Sequence, residues 1–153
     1  MLDKSYIGRN LGRITTEVER GRLRFFAKAT GETNPVYTDE AAAKAAGYRS
    51  LPVPPSYFFC LQMIDDPDPT GWLTKLGVNL QHILHGEQSF EYLEMAFAGD
   101  SLTFESRVTD IYDKKGGALE FLVTESTCVN QLNKVVVKMK CTTVIRNPGA
   151  GKK

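Results

Sequence analysis

From Leu80 onward the apolar residues fall into a period of two, and that periodicity limits what the chain can build. Leu102, Phe104, Ser106, Val108 and Asp110 alternate with Thr103, Glu105, Arg107 and Thr109, the pattern of a strand with one buried face. Leu119 to Asn130 and Lys134 to Arg146 read as two further strands. Lys114-Lys115-Gly116-Gly117 is a turn signal, and Gln131-Leu132-Asn133 suits a tight hairpin. An earlier strand runs through Phe90 and Tyr92, beginning near Ile83 or Leu84. Three long strands in succession form an antiparallel meander, whose apolar face another layer must cover. The first half reads as helical and offers one segment of suitable character. Ser56 to Ile64 is apolar nearly all round, opens behind Pro54 and Pro55, and is stopped by Pro67, as a buried helix would be.

The expected class is therefore α+β: a curved antiparallel sheet wrapped around one central buried helix, the hot-dog fold. At 153 residues the chain has the length of one domain. No internal repeat is visible, so a single hot dog is expected over residues 1–147. Residues 148–153, in a Gly, Pro and Lys-rich end, are expected to be a disordered tail. A net charge of +1 argues against nucleic acid as the main partner, since phosphate binding wants a basic surplus. Cys60, Cys128 and Cys141 are an odd number without metal-ligand spacing, which suits reduced packing cysteines. No secretory apolar run follows Met1-Leu2-Asp3-Lys4, and no stretch reaches membrane-spanning length. A cytoplasmic protein without a membrane partner is expected.

The segment Phe26 to Asp39 is the most informative for function. An amphipathic stretch enters a turn rich in Thr30, Gly31, Asn34 and Pro35, all turn formers. Asp39 is a good N-cap for the Ala-rich run Glu40 to Ala46, which Gly47 ends. So many short polar side chains have no evident packing purpose, but they suit the wall of a pocket. Arg20, Arg22, Arg24 and Lys28 alternate with Leu23, Phe25 and Phe26. The plain reading is a solvated helix face; the alternative is contact with the phosphates of a CoA or carrier-protein arm.

This segment resembles the active-site stretch of the MaoC-like family of (R)-specific enoyl-thioester hydratases and dehydratases. There a small residue precedes Gly-Asp-x-Asn-Pro-x-His. Gly31, Asn34 and Pro35 match, while Glu32 stands at the Asp position and Tyr37 at the His position. In that family the Asp and His activate a water and move a proton on the acyl chain. The run Leu84 to Tyr92, followed by Ala98-Gly99-Asp100-Ser101-Leu102, is similar to the family's central strand and its Ala-Gly-Asp turn. The resemblance thus extends from about Ile14 to Ile145. It implies the same hot-dog fold, a place in fatty acid metabolism, and no cofactor other than the CoA or phosphopantetheine thioester that is the substrate. The two substitutions make the chain most similar to the non-catalytic N-terminal half of the MaoC dehydratase, which pairs with a catalytic partner.

Hydration of an enoyl thioester needs a base for water, an acid for the α-carbon and donors for the thioester oxygen. Glu32 is the carboxylate of the motif, but its extra methylene moves the charge by about 1 Å, enough to cost orders of magnitude in rate. A capping carboxylate in a turn is the favoured plain reading. Tyrosine ordinarily ionises near ~10, so Tyr37 is a poor base where histidine would serve. Its hydroxyl could donate to a thioester oxygen, although ring packing is the simpler role. Asn34 ties down the turn through its amide and touches substrate only if it faces the cleft. Oxyanion donors could come from Ser56 and Tyr57 at the start of the buried helix, because Pro54 and Pro55 have no N–H. His82 and His85 are three apart in strand-like sequence and so face opposite ways; no metal is expected. Gly86, inside a strand, marks close approach of a ligand or of another backbone. In the family this strand lies near the dimer interface and the acyl tunnel, which places His85, Gly86 and Glu87 among the expected substrate-binding or partner-facing residues. Cys60 reads as core, with the tunnel wall as alternative. Gly-rich phosphate loops, zinc spacings and nucleophile elbows are absent from the sequence.

The reading reached is a substrate-holding subunit for acyl-CoA or acyl-carrier-protein thioesters, in a homodimer or in a heterodimer with a catalytic MaoC-like hot-dog chain. One alternative is a homo-oligomeric hydratase rebuilt around Glu32, His85 or Glu87. The other is a non-catalytic acyl-CoA-binding protein.

Overall fold

The structure is a computed structural model and describes residues 1–148. Its elements are β1 (Asn10–Glu17), α1 (Arg20–Thr30), α2 (Glu40–Ala45), α3 (Phe58–Leu61), α4 (Gly71–Lys75), β2 (Ile83–Tyr92), β3 (Ser101–Lys114), β4 (Leu119–Asn130) and β5 (Val135–Arg146). The five strands form one antiparallel sheet in the order β1-β3-β4-β5-β2. Helices cover its inner face, giving the α+β hot-dog architecture. Among the described residues no helix is long and apolar enough to cross a membrane.

The meander forms where the period of two predicts it. Lys115, Gly116 and Gly117 take left-handed backbone angles between β3 and β4, and Asn133 does so between β4 and β5. Asn130 closes that second hairpin, its Oδ1 accepting from Leu132 N and Lys134 N. Asn147 is still fixed, its N–H bonded to the Ala118 carbonyl and its side chain to Gly117 and Glu120. From residue 149 on, the expected tail lies outside the described residues.

Three features differ from the sequence reading. The first half is not wholly helical, because β1 adds an edge strand with Gly12 opposite Ser106, Ile14 opposite Phe104 and Thr16 opposite Leu102. Only pairing with β3 makes a strand of this weakly patterned segment. Secondly, the apolar run from Ser56 contains a 3-10 turn at Pro55–Tyr57 and a single α-turn, α3, rather than one helix to Ile64. Tyr57, Phe58 and Leu61 are buried in one cluster with Phe104, Cys128 and Val137, whereas Ser56 and Ile64 are exposed. Thirdly, a bulge between Val108 and Asp110 rephases β3. Ile111 takes the inner face and Asp110 goes to solvent, since one extra residue exchanges the two faces.

A second bulge, between His85 and Glu87, sits at Gly86. A Cβ there would lie 2.7 Å from Val144 Cγ2 and 3.0 Å from the Thr142 carbonyl oxygen. The close approach that a strand glycine signals is thus that of the neighbouring strand. Gly86→Ala should lower unfolding free energy by about 1–3 kcal/mol through overpacking, measurable by urea denaturation.

Asp100, 1% exposed, precedes β3 and joins distant segments. Its carboxylate accepts from Arg49 Nη2, from Gln131 Nε2 at 2.9 Å and from Phe97 N at 2.8 Å. Burial alone would raise its pKa, but the bonds from Arg49, Gln131 and Phe97 outweigh it and hold the group below the ordinary 3.8. Because the folded pKa is the lower one, this stabilisation is complete above the unfolded value and is lost as pH falls through the folded value. Asp100→Ala should cost about 3 kcal/mol at neutral pH. Circular dichroism should show that penalty shrinking as both proteins are taken below the ordinary carboxylate range.

Candidate functional site

The motif segment is a capped turn. α1 ends at Thr30, and Gly31 adopts φ 71° while its N–H and that of Glu32 bond back to Lys28 and Ala27 carbonyls. The Glu32 carboxylate then accepts from Asn34 N at 2.8 Å, and Asn34 Oδ1 accepts from Val36 N at 3.2 Å. Asp39 caps α2 through Ala41 N and Ala42 N. Each of these short polar side chains therefore holds a backbone N–H that would otherwise lack a partner. Glu32 and Asn34 are exposed, and Tyr37 is half-buried. Burial first, then the nearby Glu32 carboxylate and Tyr48, raises the Tyr37 phenol above its ordinary pKa. It keeps its proton throughout the neutral range and is not a base there.

Arg20 and Arg24 of α1 brace the exit of this turn, while Arg22 is held elsewhere. Arg20 Nε meets Glu40 at 2.6 Å, Arg24 Nε donates to the Thr38 carbonyl at 2.9 Å, and Arg22 pairs with Glu19 and Asp65. These cations thus already have protein partners. Phe25 points outward at 73% exposure.

A concavity lies elsewhere. A cavity of about 490 Å³ opens between the inner face of the sheet and the segment from α3 to α4. Phe59, Gln62 and Met63, the side of the α3 segment not packed in the core, form one wall, with Trp72 beyond. Of the residues expected at a site, His85 alone lines it; Glu32, Asn34, Tyr37, Ser56, Tyr57, Gly86 and Glu87 do not. His85 packs edge-on against Phe59 at 5.0 Å between ring centres, and its Nε2 is 4.0 Å from Cys141 Sγ. Tyr57 cannot serve as an oxyanion donor, because its N–H bonds the Pro54 carbonyl at 2.9 Å and its ring is buried 4.6 Å from that of Phe26. Ser56 is exposed, away from this cavity.

The structure therefore separates the motif turn from the cavity instead of uniting all the expected residues. His82 lies in a 3-10 turn, not a strand. Among the described residues no three His, Cys, Asp or Glu side chains are grouped to hold a metal. Cys141 lines the cavity; burial raises its thiol, against a lowering contact from Thr143, so it is not a ready thiolate. Cys60 packs half-buried on the core, and burial pushes the Cys128 thiol to about 12.

Sequence reasoning missed the polar cavity residues Ser106, Thr124, Ser126 and Gln88. A signal existed. Ser106 occupies an inward phase between Phe104 and Val108, and Thr124 and Ser126 do so between Leu122 and Cys128. Polar side chains at inward positions of a strand are worth pursuing.

Comparison with known proteins agrees with this architecture. The family described as FAS1-like, dehydratase domain region, matches residues 5–139. A UPF0336 protein of Streptomyces avermitilis is 38% identical over 122 residues, covering 75% of this chain and 77% of its own. Among solved structures, a C-terminally truncated HadBC (3R-hydroxyacyl-ACP dehydratase) complex from Mycobacterium tuberculosis superposes with TM-score 0.72 at 24% identity, over 86% of this chain and 90% of that one. A MaoC-like dehydratase gives TM-score 0.79 at 20% identity over 94% of this chain, which spans only 43% of that longer one. These structural likenesses establish the hot-dog fold. The match from residue 5 to residue 139 goes further: the chain belongs to the FAS1-like dehydratase domain family.

Proposed function

We propose that this chain is the acyl-holding, non-catalytic subunit of an (R)-specific enoyl-thioester hydratase or 3-hydroxyacyl-thioester dehydratase, working with a catalytic hot-dog chain. One observation carries the reading. The two side chains at the positions of the chemistry are engaged otherwise, Glu32 as a turn cap and Tyr37 as a protonated, half-buried phenol. The cavity beneath α3 supplies room for an acyl chain, with the thioester arriving as CoA or on a carrier protein. The HadBC relative, a 3R-hydroxyacyl-ACP dehydratase complex, supports both the reaction class and the need for a partner. For this chain the partner surface is the outer edge of β2 and the segment that follows it, where Leu84 and Tyr92, then Leu93 and Met95, are each about half exposed. An unpaired strand edge flanked by apolar side chains favours association. Three free thiols fit a reducing, cytoplasmic setting.

The isolated chain should hydrate crotonyl-CoA negligibly while binding acyl-CoA, and should sediment as a dimer or larger. With a catalytic hot-dog chain carrying an intact Asp and His, turnover should appear, and Tyr37→Phe should leave kcat within a few-fold of wild type. A general acid or base contributes ~10²–10⁴-fold, so a loss of that size with normal assembly would assign chemistry to the phenol. His85→Ala, acting at the cavity, should raise KM more than it lowers kcat.

His85 also motivates a second reading, a homo-oligomeric enzyme rebuilt around the imidazole lining the cavity. Robust turnover by the isolated chain, abolished by His85→Ala with binding retained, would establish it.

A further inference from the structure

The edge formed by β2 carries charge of one sign. β2 ends the strand order, so one side of its backbone has no partner strand. Along it and the segment that follows stand Glu87, Glu91 and Glu94, all exposed, and from Ile83 to Met95 there is no lysine or arginine. Glu91 has a cation beside it, Lys138 of β5 at 3.8 Å. Glu87 is in register with Thr142, and among the described residues neither Glu87 nor Glu94 has an ion-pair partner. Glu87, Ser89 and Glu91 share the outer face of the strand, whereas Gln88 and Phe90 turn inward opposite Cys141 and Met139.

An unpaired edge invites a second strand, and two copies related by a two-fold axis would meet antiparallel. Side chains on one face recur every two residues. In any register that overlaps the two copies between Glu87 and Glu91, a carboxylate therefore stands opposite a carboxylate of the second copy or diagonal to one. The two-fold axis repeats each off-axis contact. Like charges opposed across strands destabilise the pairing. Half-exposed Leu84, Tyr92, Leu93 and Met95 thus favour association, while the glutamates disfavour this chain as its own partner.

We propose that the β2 edge selects a different chain, a hot-dog partner whose pairing strand carries lysine or arginine on its outer face. The self-paired form of the isolated chain is then the weaker of two assemblies. The inference rests on the partner surface proposed above and makes Glu87, Glu91 and Glu94 determinants of partner choice.

Sedimentation and native mass spectrometry of the full chain test it, with a charge-reversed copy as the basic partner. Mixed with wild type at about 0.01 M salt, where screening reaches ~30 Å, Glu87→Lys/Glu91→Lys/Glu94→Lys should form heterodimers. Their Kd should be about ten- to hundredfold tighter than that of either homodimer. Glu87→Gln/Glu91→Gln/Glu94→Gln removes the charge at nearly constant shape, and serves also if the lysine variant fails to fold. It should self-associate about three- to tenfold more tightly than wild type at low salt, and lose that advantage near 1 M. Random pairing of wild type with the lysine variant, or a glutamine variant no tighter than wild type, overturns the inference and leaves the acyl-holding reading standing. Leu93→Asp should abolish self-pairing. Self-pairing unaltered by Leu93→Asp overturns the partner surface itself, and this inference with it.

Discussion

The Asp100 carboxylate is the point through which the helical layer is fastened to the sheet. It sits at the entry to β3 and is reached by Arg49 from the segment after α2, and by Gln131 from the β4–β5 hairpin. The same turn exchanges backbone bonds with Val18, between β1 and α1: Val18 N donates to the Asp100 carbonyl and Gly99 N to the Val18 carbonyl. Three segments far apart in sequence thus converge on the Asp100 turn, two of them on its buried carboxylate. An unpaired carboxylate in that position would be costly, so the partners must arrive together or not at all. That all-or-none demand fixes how α1 and α2 lie over Leu102 and Phe104, and hence where the motif turn stands.

The same layer leaves a space. Pro54 and Pro55 start the α3 segment in a 3-10 turn, and its single α-turn gives way to turns at residues 62–65 ahead of Pro67. A short α3 buries Phe58 and Leu61 on one side but leaves Phe59 and Met63 facing a cavity. The core accordingly divides into two apolar clusters rather than one. A longer helix would have filled the gap with side chains. The cavity occupies the space beside this short segment.

At the motif turn, chemistry and architecture compete for the same atoms. A carboxylate that accepts from a backbone N–H two residues on is stabilised as a cap, and its position is dictated by the turn instead of by a substrate. The phenol at residue 37 is held protonated by its burial and by that carboxylate. The resemblance of Gly31, Asn34 and Pro35 to a hydratase motif thus survives as the geometry of a turn, in which Glu32 caps a backbone N–H and the Tyr37 phenol stays protonated. The cavity lies apart from the turn and is lined by neither residue.

What the sequence determined by itself is local. The period of two specified β3, β4 and β5 and their joining turns, because alternation and left-handed turn residues act within a few positions. Capping by Asp39 was equally legible, since an N-cap needs only its own first turn. The tertiary structure decided the rest. Residues Asn10 to Glu17 become a strand only because β3 offers them an edge. The two bulges reverse which residues face inward beyond Val108 and beyond His85, and a bulge is a relation between two strands. The band of Ser106, Ser126, Thr124, Cys141 and Gln88 is drawn from four strands, so it exists only once register across the sheet is set. Each polar residue was visible in its own strand as an inward exception; that they adjoin, and that one buried amide oxygen among them lacks a partner, is a property of non-local pairing.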